Sequence, residues 1–291
     1  MDGRAPDSPA VLERAGPLLA GYDVLFCDVW GVLHNGAKAY PAAGKALADY
    51  RGQGGIVVLV SNAPLPARTV ADLLDARGVR RDCWDTIVSS GELTRAHILE
   101  RGLRRIHHVG SDRDLVLFDG LDIARVGMTD AEAIVCTGVV DDVNETGESY
   151  RPLLEEALAL KLPMICANPD LIVEVGDLLL PCAGAVAIIF EDLGGEVFWA
   201  GKPHRVAYEA AQHRAEDLAG RPVERSRILA IGDALRTDVA GAGAYGIDSL
   251  LIANGIHRDE LMAGGKLDRA RLDRFLSAAP FRPKAVMSGL T

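Results

Sequence analysis

The sequence has few of the features that mark disulfide-rich, membrane or nucleic-acid-binding proteins. It has five cysteines and no CxxC pair, which argues against a disulfide framework or a zinc site. No run of about 18 apolar residues occurs, so we expect no membrane span. The basic residues are scattered and the net charge is −10, so we expect no nucleic-acid partner. All the cysteines are predicted to be buried thiols: Cys27, Cys83, Cys136, Cys166 and Cys182.

The remaining composition is that of an ordinary globular protein. The chain has 291 residues, of which 49% are hydrophobic and 25% charged, enough for one large or two medium domains. Residues 1–16 lack the apolar stretch of a signal peptide, and we expect a cytoplasmic protein. The negative charge is still compatible with a small phosphorylated ligand, because one lysine and one divalent cation can neutralise one phosphate.

Short apolar runs alternate with helix-length amphipathic stretches, a pattern typical of a parallel sheet covered by helices. The predicted strands of the main sheet are Tyr22–Cys27, Ile56–Val60, Thr86–Val88, Val197–Ala200, Ile228–Ile231 and Ser249–Ile252. Helices are predicted at Ala42–Arg51, Ala67–Arg77 and Arg205–Leu218. The sequence therefore predicts an α/β fold with a doubly wound parallel sheet.

A second set of strands and helices is predicted in the middle of the chain. The strands are Ile106–Val109, Ala133–Cys136 and Pro163–Cys166, and the helices are Tyr150–Lys161 and Ala183–Glu191. The polar motifs described next lie mainly outside this stretch. We therefore predict a catalytic core at 1–88 and 197–291, with an inserted α/β cap domain at 89–196.

Polar residues follow four of the predicted main-sheet strands. In open α/β sheets ligands bind at the carboxyl ends of the strands. Asp28 follows the first strand, where a carboxylate can act as a nucleophile or metal ligand, and Gly31 allows a sharp turn. Ser61 and Asn62 follow the second strand and can donate hydrogen bonds to phosphate oxygens.

The other two strand ends carry a lysine and a pair of aspartates. Lys202 precedes Pro203 and can offset the charge of a nucleophile and a phosphate held together. Asp233 and Asp238 lie five residues apart on a turn that enters a helix, so both carboxylates can face one cation. Mg²⁺ prefers such oxygen ligands.

Taken singly, each of these aspartates could equally be a helix cap or a turn residue. Together they resemble the four motifs of the haloacid dehalogenase superfamily, and more narrowly its NagD-like and 4-nitrophenylphosphatase-like branch, class IIA. The stretches that carry the resemblance are LVSNAP at 59–64, ANPD at 167–170, AGKPH at 200–204 and IGDALRTDVAGA at 231–242. The resemblance extends from about Tyr22 to His257.

The resemblance implies a Mg²⁺-dependent phosphatase of a small metabolite, such as a sugar or cofactor phosphate, with a cap between the second and third motifs. It implies that Asp28 is the nucleophile and a metal ligand. The backbone carbonyl of Trp30 and the carboxylates of Asp233 and Asp238 would complete the metal site. The phosphoryl group would be held by Ser61, Asn62 and Lys202, and Asn168 would approach the substrate near the cap hinge. The resemblance is also compatible with a homodimer, and the sequence leaves the oligomeric state open.

The chain departs from the family at Trp30, where phosphatases of this type have an aspartate that acts as general acid and then base. We predict that His34 supplies the proton instead; the alternative is a loop histidine with only local hydrogen bonds. The tryptophan leaves two other functions open. One is hydrolysis of a carbon–halogen or carbon–phosphorus bond, for which Lys38 is the only further lysine near the motifs. The other is a regulatory protein that binds phosphate and metal with weak turnover.

Two further patterns are predicted to be structural. Residues 241–246 satisfy G-x-G-x-x-G but follow a helical segment instead of a strand, so we expect close packing and a helix end there. His107 and His108 lack acidic or thiol partners at ligand spacing, whereas His257 follows the last predicted strand and could approach the site.

Overall fold

A computed structural model describes residues 8–175 and 178–291 of the chain. The first seven residues of the predicted core lie outside this description. The strands are β1 (Ala10–Val11), β2 (Val24–Cys27), β3 (Ile56–Ser61), β4 (Thr86–Ser89), β5 (Arg105–Val109), β6 (Ala124–Arg125), β7 (Ala133–Cys136), β8 (Met164–Cys166), β9 (Ile172–Val175), β10 (Leu178–Pro181), β11 (Val197–Trp199), β12 (Ile228–Gly232), β13 (Asp248–Ile252), β14 (Met262–Ala263), β15 (Lys266–Leu267) and β16 (Ala285–Met287).

The helices include every helix that the sequence predicts. They are α1 (Gly16–Leu19), α2 (Pro41–Gly52), α3 (Ala67–Ala76), α4 (Ser90–Glu100), α5 (Arg151–Ala159), α6 (Ala183–Asp192), α7 (Arg205–Ala219), α8 (Ala240–Tyr245), α9 (Arg258–Leu261) and α10 (Arg269–Leu276). Local sequence signals fix several of the helix ends. Pro41 occupies the first turn of α2, and the Ser89 side chain accepts a hydrogen bond from the Glu92 amide at the start of α4.

The main sheet has seven strands in the order β1-β16-β13-β12-β2-β3-β4. Its pairings from β1 to β3 are parallel. All four residues of β2 are buried, as expected for a central strand covered on both faces. From β2 the chain first builds outward through β3 and β4 and later returns to the other side at β12. The strand order therefore reverses between β2 and β12, and the predicted doubly wound parallel sheet is confirmed.

A second sheet has five strands in the order β11-β8-β7-β5-β6, all parallel. It packs on a core of its own, in which Leu154, Met164 and Phe190 are fully buried. Strand order reverses here too, between β5 and β7. The structure thus contains two parallel α/β sheets, as predicted for a core with an inserted α/β domain.

The strand predicted at 197–200 belongs to the second sheet, and its predicted place in the main sheet is wrong. The sequence predicts Val197–Ala200 as a strand of the main sheet, but β11 pairs with β8 in the second sheet. A short apolar run fits either parallel sheet equally well, so its partner is set by distant parts of the chain. The second sheet therefore extends to Trp199, beyond the predicted boundary at residue 196.

Contacts divide the chain into two compact units. Among the described residues, the first comprises 8–59, 77–86 and 211–291, and the second comprises 60–76, 87–175 and 178–210. The predicted insertion at 89–196 falls within the second unit, which also includes α3. Among the described residues, no helix is long and apolar enough to cross a membrane. All five cysteines are buried free thiols, as predicted.

Candidate active site

Three aspartates of the first unit meet where the strand order of the main sheet reverses. Asp28 follows β2 and Asp233 follows β12, the two neighbouring strands at the reversal. Asp238 joins them from the following turn. Ligand atoms of the three carboxylates all lie within 4.8 Å of one another. Ligands of doubly wound sheets bind at such a point, and the structure brings these three predicted residues together there.

Two glycines hold Asp233 in place. A Cβ atom at Gly31 would lie 1.9 Å from Asp233 Oδ2, and a Cβ at Gly255 would lie 2.0 Å from the same oxygen. Gly31 also has a φ of +80°, a backbone conformation that residues with a side chain rarely adopt. The amide of Ile256 donates a hydrogen bond of 2.7 Å to Oδ2. The carboxylate is therefore fixed in both position and orientation by backbone groups on either side.

Asp238 is held on a tight turn after β12. Residues Leu235–Val239 form a π-helical turn that leads into α8. Asp238 Oδ2 accepts a hydrogen bond of 3.1 Å from the Ala234 amide. A Cβ at Gly232 would lie 2.0 Å from Asp238 Cγ. This geometry confirms the predicted turn. The close approach of Gly232 to Asp238 and of Gly255 to Asp233 was not predicted from the sequence.

The donor set of this cluster fits a hard divalent cation. Asp233 and Asp238 are buried, at 5% and 3% exposure, and burial strengthens the repulsion between like charges. A divalent cation between the carboxylates converts this repulsion into attraction. Oxygen ligands alone, with sulfur and imidazole absent from the described cluster, are the preference of Mg²⁺.

The loop after β2 is folded around Trp30 and His34. A Cβ at Gly36 would lie 2.6 Å from the Trp30 ring, and the ring centroids of Trp30 and His34 are 5.1 Å apart. His34 Nδ1 accepts a hydrogen bond of 2.9 Å from the Gly36 amide. Burial, with a smaller contribution from the Arg77 charge, lowers the pKa of His34 to about 4. His34 is therefore neutral at pH 7 and carries its proton on Nε2.

The other predicted phosphate-binding residues lie in the second unit. Ser61 and Asn62 end β3 and begin the next loop, and both are buried, as is Lys202. Ser61 Oγ accepts a hydrogen bond of 3.2 Å from the Ala63 amide. Asn62 contacts the backbone of Lys202 through both its oxygen and its nitrogen. The structure thus brings Asn62 and Lys202 together, although they are 140 residues apart.

The loop 168–170 contains Asn168, which was predicted to approach the substrate, and Asp170, which was not predicted as a site residue. Asn168 Oδ1 accepts from the Asp170 amide at 3.1 Å, so Asn168 shapes the loop. Asp170 Oδ1 accepts from Asn62 Nδ2 at 2.9 Å. The sequence shows Asp170 within the ANPD stretch, but it does not show that Asn62 is its hydrogen-bond partner.

The patterns predicted to be structural are structural. Most of the G-x-G-x-x-G stretch lies on α8, which ends at Gly246 with a φ of +85°. His107 Nδ1 bonds the Val126 carbonyl at 3.0 Å. His257 lies in the first unit, and its Nε2 accepts from the Leu235 amide at 3.3 Å. It therefore supports the turn that carries Asp238 and shares the first unit with the acidic cluster.

Comparisons with known proteins agree with this architecture. A sequence model described as haloacid dehalogenase-like hydrolase matches residues 25–124, and one described as HAD-hydrolase-like matches residues 199–291. A hydrolase of the haloacid dehalogenase-like family from Brucella suis 1330 has a solved structure that is 43% identical to the chain. It covers 97% of this chain and 100% of its own, with a TM-score of 0.85. The chain belongs to the haloacid dehalogenase-like hydrolase family.

Within this family the chain is similar to NagD-like phosphatases. The ribonucleotide monophosphatase NagD of Escherichia coli K12 is 25% identical over 242 residues, which cover 80% of this chain and 88% of NagD. A possible sugar phosphatase from Cytophaga hutchinsonii shares the fold, with a TM-score of 0.76 at 20% identity over 96% of this chain and 98% of its own. The prediction of an enzyme, a hydrolase of the phosphatase type, agrees with these relatives.

Proposed function

We propose that the chain is a Mg²⁺-dependent phosphohydrolase that acts on a small phosphorylated metabolite through an aspartyl-phosphate on Asp28. The observation that carries this proposal is the cluster of Asp28, Asp233 and Asp238 at the reversal point of the main sheet. The names of the relatives, a ribonucleotide monophosphatase and a possible sugar phosphatase, support a sugar or nucleotide phosphate as the substrate class.

The proposed reaction has two steps. The Asp28 carboxylate attacks phosphorus, an aspartyl-phosphate bond forms, and the bond between phosphorus and the leaving oxygen breaks. Water then attacks the same phosphorus, which releases phosphate and regenerates the carboxylate. When bound, Mg²⁺ offsets the negative charge of nucleophile and phosphate.

The chain's own residues have separate roles in this scheme. Asp233, Asp238 and the Trp30 carbonyl hold the metal with Asp28, and the backbone groups around Asp233 keep its carboxylate oriented. Ser61 and Lys202 bind phosphoryl oxygens. The lysine is 4% exposed, and a buried ammonium interacts more strongly with an anion than one in water.

Proton supply to the leaving oxygen separates this chain from phosphatases with an aspartate at the position of Trp30. His34 stays our predicted donor, in its protonated form, and it regains the proton from the attacking water. Because burial lowers its pKa to about 4, little of that form exists at pH 7, so we expect poor catalysis for alkyl phosphates. The deficit relative to good leaving groups should be about 10²- to 10⁴-fold, the usual contribution of general acid catalysis.

A phosphatase panel with Mg²⁺ tests the proposal. Wild type and Asp28→Asn are assayed on aryl and alkyl phosphates, and single turnovers are quenched in acid for mass spectrometry of the Asp28 peptide. We expect a phosphate adduct on Asp28 in wild type and no turnover by Asp28→Asn. Mg²⁺-dependent ligand binding without turnover on any substrate would instead identify a regulatory protein, and release of halide or cleavage of a phosphonate would identify the other hydrolase.

A further inference from the structure

The side chain of Asn62 uses all of its hydrogen-bonding groups inside the second unit. Its Nδ2 donates to Asp170 Oδ1 at 2.9 Å and to the Lys202 carbonyl at 3.0 Å. Its Oδ1 accepts from the Lys202 amide at 2.8 Å and from Ser90 Oγ at 3.4 Å. A carboxamide has two donors and two acceptor sites, so this set is complete.

These bonds join three loops that are far apart in sequence. Asn62 follows β3, Asp170 lies in the loop after β8, and Lys202 lies in the loop after β11. The Lys202 residue is held at both of its backbone polar groups by one side chain. Because its amide and its carbonyl are both hydrogen-bonded to Asn62, the Cα atom from which the Lys202 side chain extends is held in place.

The loop around Lys202 is also tightly packed. A Cβ at Gly201 would lie 2.2 Å from Ser90 Oγ, 2.6 Å from Asn62 Oδ1 and 2.9 Å from the Pro169 ring. Asn62 itself is only 5% exposed. Loss of its side chain would leave the buried backbone groups of Lys202 and the half-buried Asp170 carboxylate without these bonds, which is costly away from water.

We propose that the Asn62 side chain is a positioning residue: it fixes the Lys202 backbone and ties it to Asp170, and it does not itself bind the phosphoryl group. This replaces our sequence-based expectation that the Asn62 amide contacts phosphate. The proposal rests on the proposed function for its catalytic consequence only, since the hydrogen bonds exist within the fold of the second unit.

Hydrogen exchange at the Lys202 amide tests the structural part without any assay of activity. The full-length protein is compared as wild type, Asn62→Ala and Asn62→Asp, with mass spectrometry of the peptide over 199–206. Asn62→Ala removes the acceptor, so the Lys202 amide should lose protection. Asn62→Asp keeps an oxygen acceptor for the Lys202 amide and should retain protection there, but it loses the Nδ2 donor and places a second carboxylate beside Asp170. Unchanged exchange in a folded Asn62→Ala protein would overturn the proposal.

A double-mutant cycle tests the catalytic part. Turnover of 4-nitrophenyl phosphate is measured for Asn62→Ala, Asp170→Ala and the double variant, with Asn144→Ala as a matched control because the Asn144 side chain bonds Asp141 within an exposed loop. We expect Asn62→Ala to lower kcat/KM by about 10²-fold, the effect of a small displacement of a catalytic group. The double variant should lose less than the product of the two single losses, because both residues act through one network.

The outcomes separate the two proposals. Additive losses in the cycle would mean that Asn62 acts independently of Asp170, which contradicts the positioning role. Absence of turnover in wild type, together with loss of Lys202 amide protection in Asn62→Ala, would refute the phosphatase and leave the positioning role intact. If Asn62→Ala does not fold, Asn62→Asp decides: it should lower kcat/KM while keeping the amide protected, and wild-type kcat/KM would refute the proposal.

Discussion

The two parallel sheets reverse their strand order in the same way, but their reversal points differ in charge. In the first unit, the reversal gathers the carboxylates of Asp28, Asp233 and Asp238 within 4.8 Å. In the second unit, polar side chains near the reversal between β5 and β7 are joined by hydrogen bonds. His108 Nε2 bonds Thr137 Oγ1 at 2.9 Å, and that hydroxyl donates to Asp114 Oδ2 at 2.9 Å.

A second carboxylate near Asp114, that of Asp142, is paired with an arginine. Arg113 forms a salt bridge of 2.5 Å with Asp142 and lies 3.7 Å from Asp114. Burial raises the pKa of Asp114, with the Thr137 hydroxyl and Arg113 opposing the shift. Strand order thus reverses in both units, whereas three carboxylates close enough to share one cation are found, among the described residues, in the first unit.

The largest expected difference between the two reversal points is catalytic. Asp28→Asn should lower kcat for an aryl phosphate by about 10⁴-fold or more, because it removes the covalent nucleophile. Asp114→Asn, the matched change in the second unit, should change kcat by less than about threefold and mainly affect stability. Steady-state kinetics with Mg²⁺ measures both, and equal losses would remove the distinction between the two units.

Acid should destabilise both units through one histidine in each. Burial lowers the pKa of His34 in the first unit and of His108 in the second to about 4, from an ordinary value of 6.5. Between these values the unfolded chain binds a proton that the folded chain does not, so stability falls as the pH is lowered from 6.5 to 4. At about 1.4 kcal/mol per pKa unit, the buried His34 contributes up to about 3 kcal/mol of this loss, and the partly exposed His108 contributes less because solvent screens its charge.

Urea unfolding across this pH range measures the effect. His34→Asn keeps an acceptor for the Gly36 amide, and His108→Gln keeps a donor for Thr137. Each variant should lose less stability than wild type between pH 6.5 and 4. A pH slope identical to that of wild type would show that the replaced histidine already titrates normally in the folded protein.

Close backbone packing should have different consequences in the two units. A Cβ at Gly255 would lie 2.0 Å from Asp233 Oδ2, and a Cβ at Gly110 would lie 2.0 Å from Thr137 Oγ1. Both alanine variants should lose about 1–3 kcal/mol of stability, with a further cost at Gly110 from its φ of +148°.

Only Gly255→Ala should also weaken Mg²⁺ binding, because it displaces a proposed metal ligand. Isothermal titration with Mg²⁺, alongside thermal unfolding in EDTA, separates the two effects. Equal Mg²⁺ affinity in the two variants would contradict the role assigned to Asp233.

The smallest effect concerns single charges in the absence of metal. Asp238→Asn removes one of three crowded carboxylates and should raise the Tm in EDTA by about 2 °C, which is somewhat under 1 kcal/mol for a chain of this size. Asp142→Asn weakens a salt bridge with a partly exposed arginine and should lower the Tm by a similar amount. Addition of Mg²⁺ should then raise the Tm of wild type more than that of Asp238→Asn. A higher Tm for Asp238→Asn and a lower Tm for Asp142→Asn in EDTA would support the difference in charge between the two reversal points.

The acidic cluster of the first unit could be predicted from sequence because its signals are local. Asp28, Asp233 and Asp238 each come directly after or shortly after a strand, and topology brings parallel strand ends to one edge of a sheet. The residues that hold them were less visible. Gly232 and Gly255 carry no chemistry of their own, and only the fold shows that a side chain there would collide with Asp233 or Asp238.

Features that depend on pairing between distant segments could not be predicted. The strand β11 has only three residues, so its hydrophobicity says that it is buried and not which sheet it joins. Asn62 was recognised as a polar residue at a strand end, but its bonds to Asp170 and Lys202 depend on loops 108 and 140 residues away. Spacing in the sequence carries no information on such contacts.

The buried cysteines make the protein a convenient subject for site-directed labelling. Desolvation raises the pKa of Cys83 to about 11 and of Cys136 to about 12, and it raises those of Cys166 and Cys182 as well. Thiols in this state react slowly with maleimides, since the thiolate is the reactive form. A fluorophore attached to a new cysteine at an exposed position such as Leu99, which is 65% exposed, would therefore report on the native protein with its own cysteines left in place.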